Sequence, residues 1–129
     1  MEAEVLLITD KDFRDFSVFN ILQFFISGLP PLHRYQASLV LAADRLLIGD
    51  IKSNYEQFIT IAKREVLQIY MGFDETYRFY YTRGLGLRWQ PVRLQVENHE
   101  FIFLYLIFRD KFWGDSNKIW FENLKLWLI

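Results

Sequence analysis

Four arginines, Arg78, Arg83, Arg88 and Arg93, interleave with Tyr77, Tyr80, Tyr81 and Trp89. Guanidinium groups set among aromatic faces can stack on and grip a partner, whether the bases of a nucleic acid strand or the side chains of another protein. The whole chain holds 15 basic and 16 acidic side chains, a net charge of −1. No general field draws such a chain to nucleic acid, and no nucleic acid partner is expected. The same alternation also suits the outward face of two paired strands, with arginine stems covering exposed rings. Contact with a protein partner is therefore placed on Arg78, Tyr80, Arg83, Arg88, Trp89 and Arg93, with Arg88 and Trp89 as its anchors.

Other chemistries find less support. His33 follows Pro30-Pro31-Leu32, and His99 lies in the turn Glu97-Asn98-His99-Glu100. Neither has a second histidine one helical turn away, so local spacing closes no metal site. The chain has no cysteine, which removes disulfides, thiolate zinc sites and a cysteine nucleophile. Asp10, Asp12, Asp15, Asp50, Asp74, Glu75 and Asp115 fall in or beside turns, where capping and turn duty explain carboxylates without catalysis. Gly84-Leu85-Gly86 lacks the third glycine and following helix of a phosphate cradle, and no Gly-x-Ser-x-Gly elbow occurs. No catalytic residue, cofactor or metal is assigned, and the chain is read as a non-enzyme.

The elements that must position these residues follow from periodicity. Residues 4–9 are apolar and partly β-branched, as in a strand. Val18, Ile21, Leu22, Phe25, Ile26 and Leu29 recur at helical spacing within a helix expected over Phe13–Ser27, which Gly28 and Pro30-Pro31 stop. Strands then follow over 37–42, 45–50, 57–62, 66–72, 77–82, 87–96 and 101–108, joined by short polar or glycine-bearing turns. Connections this short require antiparallel neighbours. Ile119, Trp120, Asn123, Leu124, Trp127 and Leu128 return to helical spacing, and a helix carrying two tryptophans must dock on the sheet.

This predicts an α+β fold: a strongly curved antiparallel sheet or partly open barrel of about seven strands, closed by an amphipathic C-terminal helix, with an extra N-terminal strand and helix. At 129 residues a single domain is expected, with 1–31 as the N-terminal extension and 32–129 as sheet and helix. Phe, Tyr and Trp make up 19% of the chain, more than one small core hides, so an aromatic surface patch and self-association are expected. The longest apolar run, Phe101–Phe108, is far shorter than the ~20 residues of a membrane span. Without cysteine or a basic leader, a cytoplasmic setting is expected.

Ala37–Gly49 has an apolar strand, a short polar turn with an arginine and a second apolar strand, and Ile59–Tyr70, Gly86–Leu94 and Phe101–Phe108 supply later strands before the final helix. In this order and pattern, residues 32–129 resemble the pleckstrin-homology-like domains, including the GRAM-like and bacterial forms. The resemblance implies a non-catalytic binding or scaffold module, with a protein partner or a second copy as its ligand. The lipid-binding members place Lys and Arg in the early loops, where this chain has Arg45, Lys52, Lys63 and Arg64. A weak membrane-surface role through these four residues is the alternative that the resemblance implies. A further alternative is a small-ligand or enzymatic α+β roll with an apolar pocket, similar to the nuclear-transport-factor kind, although that fold tends to end in a strand.

Overall fold

The structure, a computed structural model, describes residues 2–15, 35–50, 57–78, 90–109 and 116–129. Seven strands are present among them: β1 (Glu2–Thr9), β2 (Tyr35–Leu41), β3 (Arg45–Asp50), β4 (Gln57–Ala62), β5 (Val66–Met71), β6 (Val92–Val96) and β7 (Phe103–Phe108). A 3-10 turn, Lys63–Glu65, joins β4 to β5. Helix α1 (Asp10–Asp15) follows β1, and helix α2 (Asn117–Leu128) follows β7. All six strand pairings are antiparallel, in the order β4-β3-β2-β1-β7-β6-β5, which makes a nearly closed, barrel-like sheet. The N-terminal strand takes its central place, between β2 and β7.

Side chains alternate across each strand, and here both faces of the centre are buried. Val5 and Leu7 of β1, Leu39 of β2, Leu46 and Ile48 of β3, Ile61 of β4, Leu94 of β6 and Leu104, Leu106 and Phe108 of β7 point inward into one core. Leu6, Ile8, Tyr105 and Ile107 point outward into a second cluster, which Tyr77, Phe13 and Phe73 cover. Burial on both faces accounts for the unbroken apolar runs of β1 and β7. It also gives the aromatic surplus a use: Tyr77 is fully buried, with its ring 5.5 Å from both Phe13 and Tyr105.

Helix α2 closes the inner core. Its Trp120 ring stacks on Phe108 at 4.8 Å with 3° between planes, and Leu124 is fully buried beside it. Asn117 ties the start of α2 to the sheet, accepting from the Phe108 N–H at 2.7 Å and donating to the Gln90 carbonyl at 2.7 Å. Trp127 ties its end, donating Nε1–H to the Ala42 carbonyl at 2.6 Å. Ile119, placed on the apolar stripe by its spacing, is 65% exposed. The buried arc of α2 centres instead on Asn117, Trp120 and Leu124, because the two side-chain ties at its ends fix its rotation.

Helix α1 begins earlier than the expected Phe13. Thr9 and Asp12 cap each other: the Asp12 N–H donates to Thr9 Oγ1 at 3.1 Å, and the Thr9 N–H donates to Asp12 Oδ2 at 3.0 Å. The rest of the helix expected over Phe13–Ser27, the loop Lys52–Glu56 and most of the strand Tyr77–Thr82 lie outside the described residues. Tyr77 and Arg78 themselves are not in a strand. Of the strand expected over Leu87–Val96, residues 87–89 lie outside the described residues, and β6 begins at Val92, directly after Pro91. Proline has no N–H to give a ladder, yet its carbonyl still accepts from Gly72 N–H at 3.0 Å. Leu47 lies between the buried Leu46 and Ile48 but is only half-buried, because it faces outward from β3.

Candidate functional site

Two surfaces gather the charged residues singled out by sequence. The first is the outer face of β5, β6 and β7. Arg93 of β6 lies between two rings, its guanidinium carbon 4.7 Å from the Tyr70 ring centre on β5 and 4.6 Å from that of Phe103 on β7. Nη1 donates to Asp74 Oδ2 at 2.9 Å, and Nη2 donates to Gln68 Oε1 at 3.1 Å. Asp74 is a hub. Its Oδ2 also accepts from the Tyr105 hydroxyl at 2.7 Å, while Oδ1 accepts from the N–H groups of Thr76 at 2.8 Å and Tyr77 at 2.7 Å.

Burial works against ionising Asp74, but the bonds from Tyr77 N–H, Tyr105, Arg93 and Thr76 N–H outweigh it and hold the carboxyl below its usual range. Burial, then the hydrogen bond to Asp74 and its charge, raises the Tyr105 hydroxyl, and burial alone raises Tyr77 far above the ordinary phenol value. Asp74 thereby fixes the turn that lays Tyr77 over the outer cluster. Gly72, at the end of β5, has φ +155°, and a Cβ there would come within 2.6 Å of the Tyr70 hydroxyl. A side chain at this position would push the Tyr70 ring off Arg93. Of the six residues assigned to partner contact, Arg93 is engaged within the sheet and Arg78 is exposed. Tyr80, Arg83, Arg88 and Trp89 lie outside the described residues.

The second surface is a groove beside the turn that joins β4 to β5. Among the described residues β4 and β5 are the two ends of the sheet order, and the turn Lys63–Glu65 joins them at this seam. Lys63 N–H donates to the Asp44 carbonyl at 2.9 Å, and Glu97 N–H donates to the Glu65 carbonyl at 3.0 Å. Beside this seam lies an open cavity of about 650 Å³, lined by the β2–β3 turn (Ala43, Asp44, Arg45), by Thr60 and Ala62 of β4, by Lys63, Arg64 and Glu65, and by Leu128 of α2. The groove thus brings together Arg45, Lys63 and Arg64, and Lys52 lies outside the described residues.

Both carboxylates of the groove are engaged. Asp44 accepts from Arg45 Nε at 3.1 Å and Nη2 at 2.9 Å, which lowers the Asp44 carboxyl and raises Arg45. Glu65 Oε1 accepts from the Ala62 N–H at 2.8 Å and lies 3.2 Å from His99 Nε2. The Ala62 bond, with a further contribution from His99, holds Glu65 below its usual range against the effect of burial. His99, in the turn Glu97–Glu100, stacks on Phe101 at 5.4 Å and is only 17% exposed on its side chain. Asn98 before it adopts φ 66°, the left-handed turn geometry that asparagine tolerates.

Lys63 and Arg64 make no ion pair among the described residues; the Lys63 ammonium lies 5.6 Å from the Trp127 ring centre. Sequence reading passed over Thr60, Asp44 and Glu65 as groove residues. The Ala62–Glu65 spacing within a polar turn was the available signal, since a glutamate three residues on can reach back to a free N–H.

Among the described residues no group of three His, Asp or Glu side chains is placed to hold a metal ion, and no helix is long and apolar enough to cross a membrane. Compared with known protein families and with curated proteins, the chain matches none.

Proposed function

We propose that the chain is a pleckstrin-homology-like, non-catalytic binding module of the cytoplasm that takes a protein partner at the seam between β4 and β5. The family reading is supported by consecutive hairpin strands, by the N-terminal strand being part of the barrel, and by a C-terminal helix closing it. The observation that carries the binding role is the open groove of about 650 Å³ lined by Thr60 and Ala62 of β4, a strand that pairs with β3 alone among the described residues, in the size range of ligand sites (~300–1,000 Å³). An open edge presents unpaired backbone groups that a partner strand can take up. Trp120, Leu124 and the inward residues of all seven strands fill the interior that an apolar-pocket roll would keep open. This favours a surface site over a buried one.

The test is selection of displayed random peptides on the immobilised protein. Thr60 is exposed, so Thr60→Trp blocks the groove without disturbing the core. Peptides enriched on the wild-type protein and lost on Thr60→Trp support the reading; no enrichment, or enrichment that survives the block, defeats it. A second copy belongs to the same partner class, and sedimentation equilibrium checks it against the 15.6 kDa monomer mass.

One observation favours a second reading, a membrane surface: Arg45, Lys63 and Arg64 line the same groove. Asp44 and Glu65 beside them weaken its pull on a phosphate-bearing headgroup. Sedimentation with anionic vesicles tests this reading, and binding that ignores anionic lipid content dismisses it.

A further inference from the structure

We infer that Glu65 and His99 form a proton-operated clasp at the edge of the groove: a proton on His99 fastens the turn Lys63–Glu65 to the β6–β7 turn and adds to the positive charge that the groove shows a partner. This is a regulation of the groove and rests on the partner-binding reading above. Three observations carry it. First, the two turns meet through one residue. The Glu65 carbonyl accepts from Glu97 N–H at 3.0 Å, and the Glu65 carboxylate lies 3.2 Å from His99 Nε2. The same oxygen, Oε1, accepts from Ala62 N–H at 2.8 Å, so the carboxylate that meets the ring also shapes the turn carrying Lys63 and Arg64.

Second, the pair is held and shielded. The His99 ring stacks on Phe101, which packs against the inner core. Both side chains are largely buried, so salt screens the pair less than it would a surface pair. Among the described residues Glu65 is the hydrogen-bonding partner of the ring. The other charged groups around it are Glu97 and Glu100 of its own turn, Arg64 of the facing turn, and Asp10 and Lys11 of α1. Glu100 pairs with Lys11 at 3.0 Å, and Asp10 accepts from the N–H groups of Ile102 and Phe103 at 3.0 and 3.2 Å.

Third, a proton changes both the bond and the charge. A neutral imidazole donates from one nitrogen only, whereas the charged ring donates from both, so protonation guarantees a donor at Nε2. Imidazole ordinarily changes charge between pH 5 and 8. Glu65 is held below its usual range and stays ionised in that window. Arg45, Lys63 and Arg64 line the groove with Asp44 and Glu65, three cations against two carboxylates. A proton on His99 offsets the Glu65 charge, so the groove favours acidic contacts more in acid than in base.

The experiment is an NMR pH titration of the full chain between about pH 8 and 5, read at the His99 ring protons and at the Ala62, Lys63 and Arg64 amides. In the wild-type protein the amides should move together with the ring. His99→Gln should abolish their response. Glu65→Gln, which keeps an acceptor for Ala62 N–H, should remove most of it while the ring still titrates. His33→Gln should leave it whole, and unchanged β1 and β7 amides show that each variant is folded. Amides that stay still while the ring titrates overturn the inference, as does a response that survives His99→Gln. Acidic peptides selected on the wild-type protein should bind about fivefold or more tighter at the acid end, and His99→Gln should cancel the gain; binding that ignores pH defeats the regulatory claim. Still amides with peptides selected would sink the clasp and leave partner binding intact. No selected peptide at all would sink partner binding and, with it, any regulation of it.

Discussion

Replacing Asp74 by asparagine should cost this protein about 3 kcal/mol. Asparagine keeps one oxygen for the Thr76 and Tyr77 N–H groups but sets an amide where Oδ2 accepts from Arg93 and Tyr105. The Arg93 guanidinium is then left without its carboxylate between two rings. Breaking a buried ion pair from one side costs ~3–5 kcal/mol. The two side chains here are 17% and 16% exposed, and Gln68 still accepts from Arg93, so the lower end applies. With a urea dependence of ~1–3 kcal/mol per molar, the unfolding midpoint should fall by about 1.5 M. Arg93→Met should rescue much of the loss in the Asp74→Asn background, because no charge is then stranded, and the double-mutant cycle reads the coupling directly. A midpoint shift below about 0.5 M, or strict additivity of the two substitutions, would refute the view that Asp74 is the hub of this face.

Three further outcomes follow from the geometry. Thr9→Val keeps the branched shape but removes the hydroxyl from the reciprocal cap of α1, and should lower stability by about 1 kcal/mol in urea unfolding. Trp127→Phe leaves the Ala42 carbonyl without its indole donor; thermal unfolding should show a loss of about 1 kcal/mol, with the secondary structure unchanged by circular dichroism. In pH titration, Asp74 and Glu65 have depressed folded-state values, so their stabilisation is present above the unfolded carboxylate range (about 4) and is lost as pH falls through the folded values. The urea midpoint should therefore decline on the acid side, and less steeply in Asp74→Asn; an equal slope in both proteins would contradict the assignment.

The strands and their turns were legible because their local chemistry is unambiguous: paired apolar runs broken by Ala43-Asp44 and by Glu97–Glu100 have few other solutions. The central place of β1 was not, since no local pattern says that a strand parted from β2 by residues 10–34 will lie between β2 and β7. Tyr77 shows the limit of periodicity. Its neighbours Phe79, Tyr80 and Tyr81 suggest a strand from Tyr77 onward, but Asp74 captures the Tyr77 N–H and bends it over a second hydrophobic layer. Arg93 looked like a surface contact because sequence does not reveal that Tyr70 and Phe103 flank it. At the groove, Arg45, Lys63 and Arg64 were visible as basic loop residues. That Asp44 and Glu65 are already paired while Lys63 and Arg64 make no ion pair among the described residues depends on turn geometry that spacing alone does not give.

Amide hydrogen exchange along β4 is the most direct test of the open seam. In the free protein the amides of β1 and β7, at the centre of the sheet, should exchange only through global unfolding, while the β4 amides that point away from β3 should exchange many-fold faster. Uniformly slow exchange across β4, matching that of β3, would mean that the barrel is closed there and that the groove has no free strand edge to offer.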